Sequence, residues 1–305
     1  VSNQRGTLFN ATTAENEGNF GPSDWGLFLA VSMIWGASFL LIAESLEGFT
    51  PGVVTLGRVG LGAITLTLLR TAMGVGRRID AEDRGRVLLL AVVWVAVPFT
   101  LFPLAQQWIN SAVTGLLNGA TPVLVAVVSV LFVKVRPGGR QVLGLALGFL
   151  GILLISLGSA AEGGSEAQGV LLVLLATLCY GFAMNVAPPL QAKYGAIVLM
   201  SNVLSLAALF CVPYALVDLG DNQWGTVPTL SLAVLGSVGT GIAYWIMVSL
   251  VGRVGSIRAS FITYLIPVVS LILGVAIRDD AVAALALVGA PITLVGAFLA
   301  SRQAN

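Results

Sequence analysis

The sequence has no histidine and few charges, 10% Asp, Glu, Lys and Arg against about 25% in soluble domains. Without an imidazole there is no His general base, no imidazolium relay and no His-ligated metal, which removes many hydrolases and the zinc peptidases. Only two cysteines occur, Cys179 and Cys211, set far apart within apolar runs. That spacing suits neither a CxxC pair nor a disulfide framework. The bases are scattered rather than gathered into a patch, so a net charge of +1 marks no nucleic-acid surface.

What the chain has in plenty is apolar residues, 57% of 305. From Trp25 onward ten apolar runs succeed one another, at about 25–43, 52–70, 86–109, 111–133, 141–159, 169–187, 195–217, 229–250, 257–277 and 281–300. Each approaches the roughly 20 residues a helix needs to cross a bilayer. The expected fold class is therefore an all-α integral membrane protein with ten transmembrane helices. Residues 1–24 are polar, with no apolar core behind a basic start, and read as a disordered cytoplasmic tail.

Loop charges test the count. With the N-terminus inside, the inner segments collect Arg5, Arg70, Arg77, Arg78, Arg84, Arg86, Lys134, Arg136, Arg140, Lys193, Arg253, Arg258 and Arg302. Arg278 alone falls outside, and Arg58 falls within a span. The outer loops hold Glu44, Glu47, Glu162, Glu166, Asp218, Asp221, Asp279 and Asp280. A miscounted span would reverse every later loop and destroy this separation, so ten spans with both termini cytoplasmic is the expectation.

The chain also repeats. At an offset of 145 residues, Trp35-Gly36 meets Tyr180-Gly181, Ser111 meets Ser256, Pro122-Val123 meets Pro267-Val268, Gly144 meets Gly289 and Gly151 meets Gly296. Spans 2 and 7 match poorly at this offset. The expected division is 25–159 for the first five-helix repeat, 160–167 for a linker and 168–301 for the second repeat. Five is odd, so the second repeat must cross the membrane in the opposite sense. Inverted repeats are an architecture of secondary transporters, with a site near mid-membrane between the halves.

Several of these residues resemble a known family. Trp35-Gly36-Ala37-Ser38-Phe39 is similar to the WGxxF signature of the EamA branch of the drug/metabolite transporter superfamily, and Arg58 resembles the Arg that family carries near the start of its second span. Asn118-Gly119-Ala120-Thr121-Pro122, Tyr264-Leu265-Ile266-Pro267, and the Gly144/Gly151 and Gly289/Gly296 pairs resemble further paired family segments. Where the family often has a Glu nine residues before the first Gly of each half's last span, this chain has Val135 and Asp280. The resemblance implies an inner-membrane carrier of ten helices, often an exporter of amino acids or other small metabolites.

The residues themselves nominate a site. Arg58 is the one charge deep in a span, about 10 Å past Pro51 at 1.5 Å per residue. An Arg there is costly and should face protein or a wet cavity. Thr55, Arg58, Gly62 and Thr65 form one polar-to-small stripe that would turn it inward. Arg58 then reads either as a docking point for a substrate carboxylate or phosphate, or as a structural residue paired with Glu44 or Glu47. Asn118 and Thr263 lie on repeat-related polar stripes, which either line a cavity or bind helices together. Pro122 and Pro267 each free a carbonyl one turn earlier and are candidate hinges, whereas Pro98 and Pro103 read as simple kinks.

Trp35 and Tyr180, with Phe99, Phe102, Tyr244 and Tyr264, stand away from the interfacial belt and suggest an aromatic-walled pocket, ordinary packing being the other reading. Substrate-binding candidates are thus Trp35, Ser38, Arg58, Phe102, Asn118, Tyr180, Tyr244, Thr263 and Tyr264. Gly144-Leu-Ala-Leu-Gly148 permits close helix contact within the fold or in a dimer.

The expected function is secondary transport of small metabolites by alternating access, with export as its direction. The alternatives are efflux of drugs and lipophilic cations, or a noncatalytic membrane subunit. No catalytic residue, metal or cofactor is expected, and the partners are a small-molecule substrate and membrane lipids, for a monomer or homodimer. No acid lies inside a span, so a proton-coupled mechanism lacks its usual carrier.

Overall fold

The computed structural model describes residues 21–76, 78–133, 138–160, 166–217, 219–255 and 259–301. Ten helices run through them: α1 (Pro22–Leu46), α2 (Pro51–Ala72), α3 (Ala81–Ala105), α4 (Ser111–Phe132), α5 (Gly139–Ala160), α6 (Glu166–Tyr194), α7 (Ala196–Val217), α8 (Thr226–Val254), α9 (Ile262–Arg278) and α10 (Ala284–Ser301). The first eight are long and apolar enough to cross a membrane, and α9 and α10 are shorter apolar helices. The chain is a multi-pass membrane protein. The tail at 1–20, Val135 and Ser256 lie outside the described residues.

Local chemistry sets the helix ends. Pro22 and Pro51 occupy first turns, where a missing N–H costs nothing. Asp24 accepts from Gly21 N (3.0 Å), so α1 starts three residues earlier than hydropathy alone suggests. α6 continues past Pro188-Pro189 to Tyr194, beyond its apolar run. Its end is anchored: Lys193 Nζ lies 2.9, 3.1 and 2.6 Å from Asp80, Glu82 and Asp83, and Tyr194 Oη donates to Asp83 (2.6 Å). That acidic trio is therefore occupied by an ammonium.

Three helices depart from regular winding. α3 carries a π-helical segment, Ala91–Ala96, and α8 carries another, Ser237–Ile242. The two stand at repeat-equivalent positions, within one residue of the 145 offset. Pro98 has no N–H to offer the carbonyl a turn earlier, and the ladder of α3 widens just before it. Pro98 is thus not the simple kink its sequence suggests. α4 breaks at Gly119-Ala120, immediately before Pro122, and Thr121 Oγ1 donates to the Asn118 carbonyl there (2.7 Å).

Glycine governs how the helices meet. A Cβ on Gly296 would lie 2.6 Å from Gly148 Cα and 2.7 Å from Gly144 O, and one on Gly289 would lie 2.6 Å from Gly151 O. α5 and α10 therefore touch backbone to backbone, so the Gly144 and Gly148 pair packs inside the chain. The outer faces of this pair expose Leu143, Phe149, Leu153, Leu287 and Val295, as a lipid-facing surface requires.

We call the end of the bundle where α1 starts its base and the opposite end its crown. At the crown, Arg278 binds Glu44 (2.6 Å) and Glu47 (2.8 Å), tying α9 to α1. Asp280 Oδ2 accepts from Ser111 Oγ (2.6 Å) and Ala112 N (2.9 Å), capping α4. Every residue of Ser111–Asn118 is buried, so the crown half of α4 is closed on all sides. Removing the latch with Arg278→Gln is expected to cost about 1 kcal/mol, because partly exposed pairs are screened. The readout is a thermal-unfolding midpoint in detergent lowered by a few degrees and less sensitive to added salt than that of the wild type.

Candidate functional site

Arg58 is buried, with 6% of its surface exposed, and its neighbours are set by close helix contacts. A Cβ on Gly236 would lie 2.9 Å from Gly57 O, and one on Gly62 would lie 2.6 Å from Thr240 Cγ2. α2 therefore lies directly against the π-helical segment of α8. Thr55 Oγ1 donates within α2 to Pro51 O (2.7 Å) and also sits 3.2 Å from Phe99 O on α3. This brings the Phe99 ring under the guanidinium, 3.9 Å from Cζ to the ring centroid.

Arg58 Nε donates to Thr240 Oγ1 (3.4 Å), which itself donates to Leu235 O (3.1 Å) five residues back. The Nη1 and Nη2 groups have no hydrogen-bond partner among the described residues. Glu44 and Glu47, the acids that the structural reading of Arg58 would pair with it, are taken by Arg278. The correction has a geometric reason: both glutamates sit at the crown, while Arg58 lies about two turns deeper in α2.

Beyond Phe99, further aromatic rings pack together at mid-depth. Trp35, Trp94, Tyr180 and Thr240 each stand within one residue of the midpoint of their helix. Trp35 packs edge-on to Tyr244 at 5.7 Å and Trp94 does so at 6.4 Å. Phe102 joins Tyr180 (6.0 Å) to Phe39 (5.5 Å). Tyr180 and Tyr244 lie within electrostatic reach of Arg58. Phe99 and Tyr244 are 145 residues apart, the same offset as Trp35 and Tyr180, so two repeat-related ring pairs meet here. Trp35, Trp94, Tyr180 and Tyr244 remain part-exposed, whereas Phe99 and Phe102 are buried.

The remaining candidates divide. Ser38 donates to Ile34 O (3.0 Å) and faces the π-helical segment of α8, where a Cβ on Gly239 would lie 3.4 Å from its Oγ. Asn118 is buried at the α4 break, its Oδ1 3.5 Å from Thr121 Oγ1. Thr263 bonds to Ser260 O in the first turn of α9. Tyr264 packs on Phe261 (6.0 Å) and Phe298 (6.2 Å). Both belong to the start of α9, which packs against α1 and the first half of α4. Pro267 is buried against α4, and a Cβ on Gly119 would lie 2.9 Å from its Cγ. Pro122 is half-buried beside that break.

Sequence reasoning passed over Thr240 and Trp94 and left Phe99 out of the binding set. The 145 offset linking Phe99 to Tyr244 was a usable signal; nothing local marks Thr240 or Trp94. The arrangement pairs no nucleophile with a base, and its chemistry is that of binding: a fixed cation, two phenols and several ring faces.

A family model, the EamA-like transporter family, matches residues 25–157 and again 167–302. The chain is 26% identical over 280 residues to an uncharacterized transporter of Archaeoglobus fulgidus, covering 92% of this chain and 99% of that one. It is 27% identical over 277 residues to the uncharacterized transporter YdfC of Bacillus subtilis, covering 89% of each. With the uncharacterized inner membrane transporter YedA of Escherichia coli it shares 22% identity over 266 residues, 84% of this chain and 83% of the other. A crystal structure 18% identical to this chain superposes with a TM-score of 0.63, covering 91% of this chain and 96% of that chain, a likeness of fold alone.

Proposed function

The chain belongs to the EamA-like transporter family, and on that premise we propose that it moves small metabolites, amino acids or related compounds, across the inner membrane by alternating access, with export as its direction. It is a membrane transporter; the cargo, the direction and the mechanism are the proposal. The observation that carries it is Arg58, buried at mid-depth with no acidic partner among the described residues, stacked on Phe99 and within electrostatic reach of Tyr180 and Tyr244. An uncompensated buried cation is destabilising unless something else uses it, and a substrate anion is such a use. The same charge weighs against lipophilic cations as cargo.

The sorting of bases and acids among the loops supports cytoplasmic termini, with the crown outside. On that orientation the latched crown is the closed outer gate. Repeat-equivalent π-helical segments beside the site and the meeting of Gly119 with Pro267 support rocking of one repeat on the other, with Pro122 and Pro267 as hinges. No acid lies inside a span near the site, which favours facilitated diffusion or exchange over proton coupling.

Proteoliposomes holding the purified chain test this. A panel of amino acids, nucleosides, sugars and cationic drugs is expected to yield counterflow of at least one small metabolite without a pH gradient. Concentrative uptake driven only by an imposed proton gradient would overturn the exchange mechanism. Failure of every solute to move would overturn the carrier reading for this panel's classes.

A further inference from the structure

The polar groups that meet at the ring cluster are a guanidinium and two phenols. Arg58 brings Nη1 and Nη2, neither with a hydrogen-bond partner among the described residues, while Nε is already spent on Thr240. Tyr180 and Tyr244 bring phenolic hydroxyls that likewise bond to no described residue, and both lie within electrostatic reach of the guanidinium. Arg58 is more than nine-tenths buried, yet its free amino groups are not sealed against protein, for Gln106 Oε1 is the one side-chain polar atom both sealed and unpartnered among the described residues. They therefore keep some accessible surface at the centre of the bundle.

All of these groups can donate, and the guanidinium can do nothing else. A carboxylate or similar oxyanion accepts from two Nη groups as a fork and from two hydroxyls beside it. An ammonium finds no carboxylate here: the described acids lie at helix ends or in loops, most of them bound to Arg278, Lys193, Arg253 or the start of α4. The walls are ring faces and edges, Trp35, Trp94 and Phe99 among them, which suits a flat apolar body.

We propose that Arg58, Tyr180 and Tyr244 form a charge-selective subsite, and that the preferred substrates are aromatic organic anions with one carboxylate and no ammonium group. This rests on the carrier reading and, within small metabolites, places acids without an ammonium group ahead of the amino acids. A zwitterion presents the same carboxylate but must leave its ammonium unpaired beside a fixed cation, so it binds less tightly.

The test holds the ring constant and changes the charge. Calorimetric titration of the purified full chain uses phenylacetate, phenylacetamide, phenylalanine and phenethylamine, with acetate as the ringless anion. Phenylacetate is expected to bind at least tenfold more tightly than each of the others. Arg58→Met should bring it down to the level of phenylacetamide, and Tyr180→Phe and Tyr244→Phe should each weaken it severalfold. If Arg58→Met does not fold, the wild-type series and the two tyrosine variants decide.

Equal or tighter binding of phenylalanine or phenethylamine would overturn the proposal. So would acetate matching phenylacetate, or no binding by any of the five. Such a result alongside counterflow of another solute in proteoliposomes would sink this inference and leave the carrier reading standing. Absence of flux for every solute, phenylacetate included, would sink the carrier reading itself.

Discussion

Gly296→Leu is expected to abolish a folded, monodisperse protein. The atoms a side chain would strike are backbone: Gly148 N and Cα and Gly144 O on α5. No rotamer change relieves that overlap, so the helices must separate. Overpacking in a core already costs about 1–3 kcal/mol, and a membrane adds a difficulty. Lipid is as apolar as leucine, so little beyond close contact draws α10 back to α5.

A graded series checks this by size-exclusion chromatography and thermal unfolding in detergent. Gly296→Ala should fall well below wild type, because the first added carbon already collides. The atoms nearest a Cβ on Gly148 belong to the Val123 side chain, which can shift, so Gly148→Ala should be milder. Leu287, with 48% of its surface exposed, faces lipid, and Leu287→Ala should leave the elution profile unchanged. A normal profile for Gly296→Leu would disprove the packing described here.

Arg58→Ala is expected to lower substrate flux at least about tenfold, since a hydrogen bond to a charged group is worth about 1.5–3 kcal/mol. The fold should survive and its thermal midpoint should hold or rise. The reason is the balance at this residue: a cation–π contact and one long hydrogen bond set against burial of an unpaired charge, which costs several kcal/mol. Arg58→Lys keeps the charge but loses both the planar fork and the stacking on Phe99, so it should fold, transport slowly and show a raised KM. If Arg58→Ala unfolds the protein while Arg58→Lys transports with unchanged affinity, Arg58 is a structural residue and the docking role fails.

How legible the site was depended on the kind of residue. Arg58 was visible because a lone charge in an apolar run has to be accommodated, whatever surrounds it. Trp35 and Tyr180 were visible because the repeat links them. Thr240 was invisible: a threonine in Ser237–Ile242 gains its role only because that segment widens to a π-helix and rests on Gly62 of α2. The pairing of acids misled for a similar reason. Glu44, Glu47 and Arg58 are neighbours along the chain, yet Arg278, more than two hundred residues from the glutamates, reaches them first. Asp280, at the position where the family often has a Glu, serves as the cap of α4.

The sequence by itself determined ten helices, a repeated plan, which charge lies within the membrane and which face of α2 turns inward. These depend on hydropathy and spacing, and a bilayer reads both locally: its thickness fixes the length of a span, and its lack of hydrogen-bonding partners fixes the helix. Only the tertiary structure decided which rings meet, where the helices unwind and what each charged group touches. Those depend on how closely distant helices approach, and glycines at Gly62, Gly236 and Gly296 set that distance through partners no local pattern names.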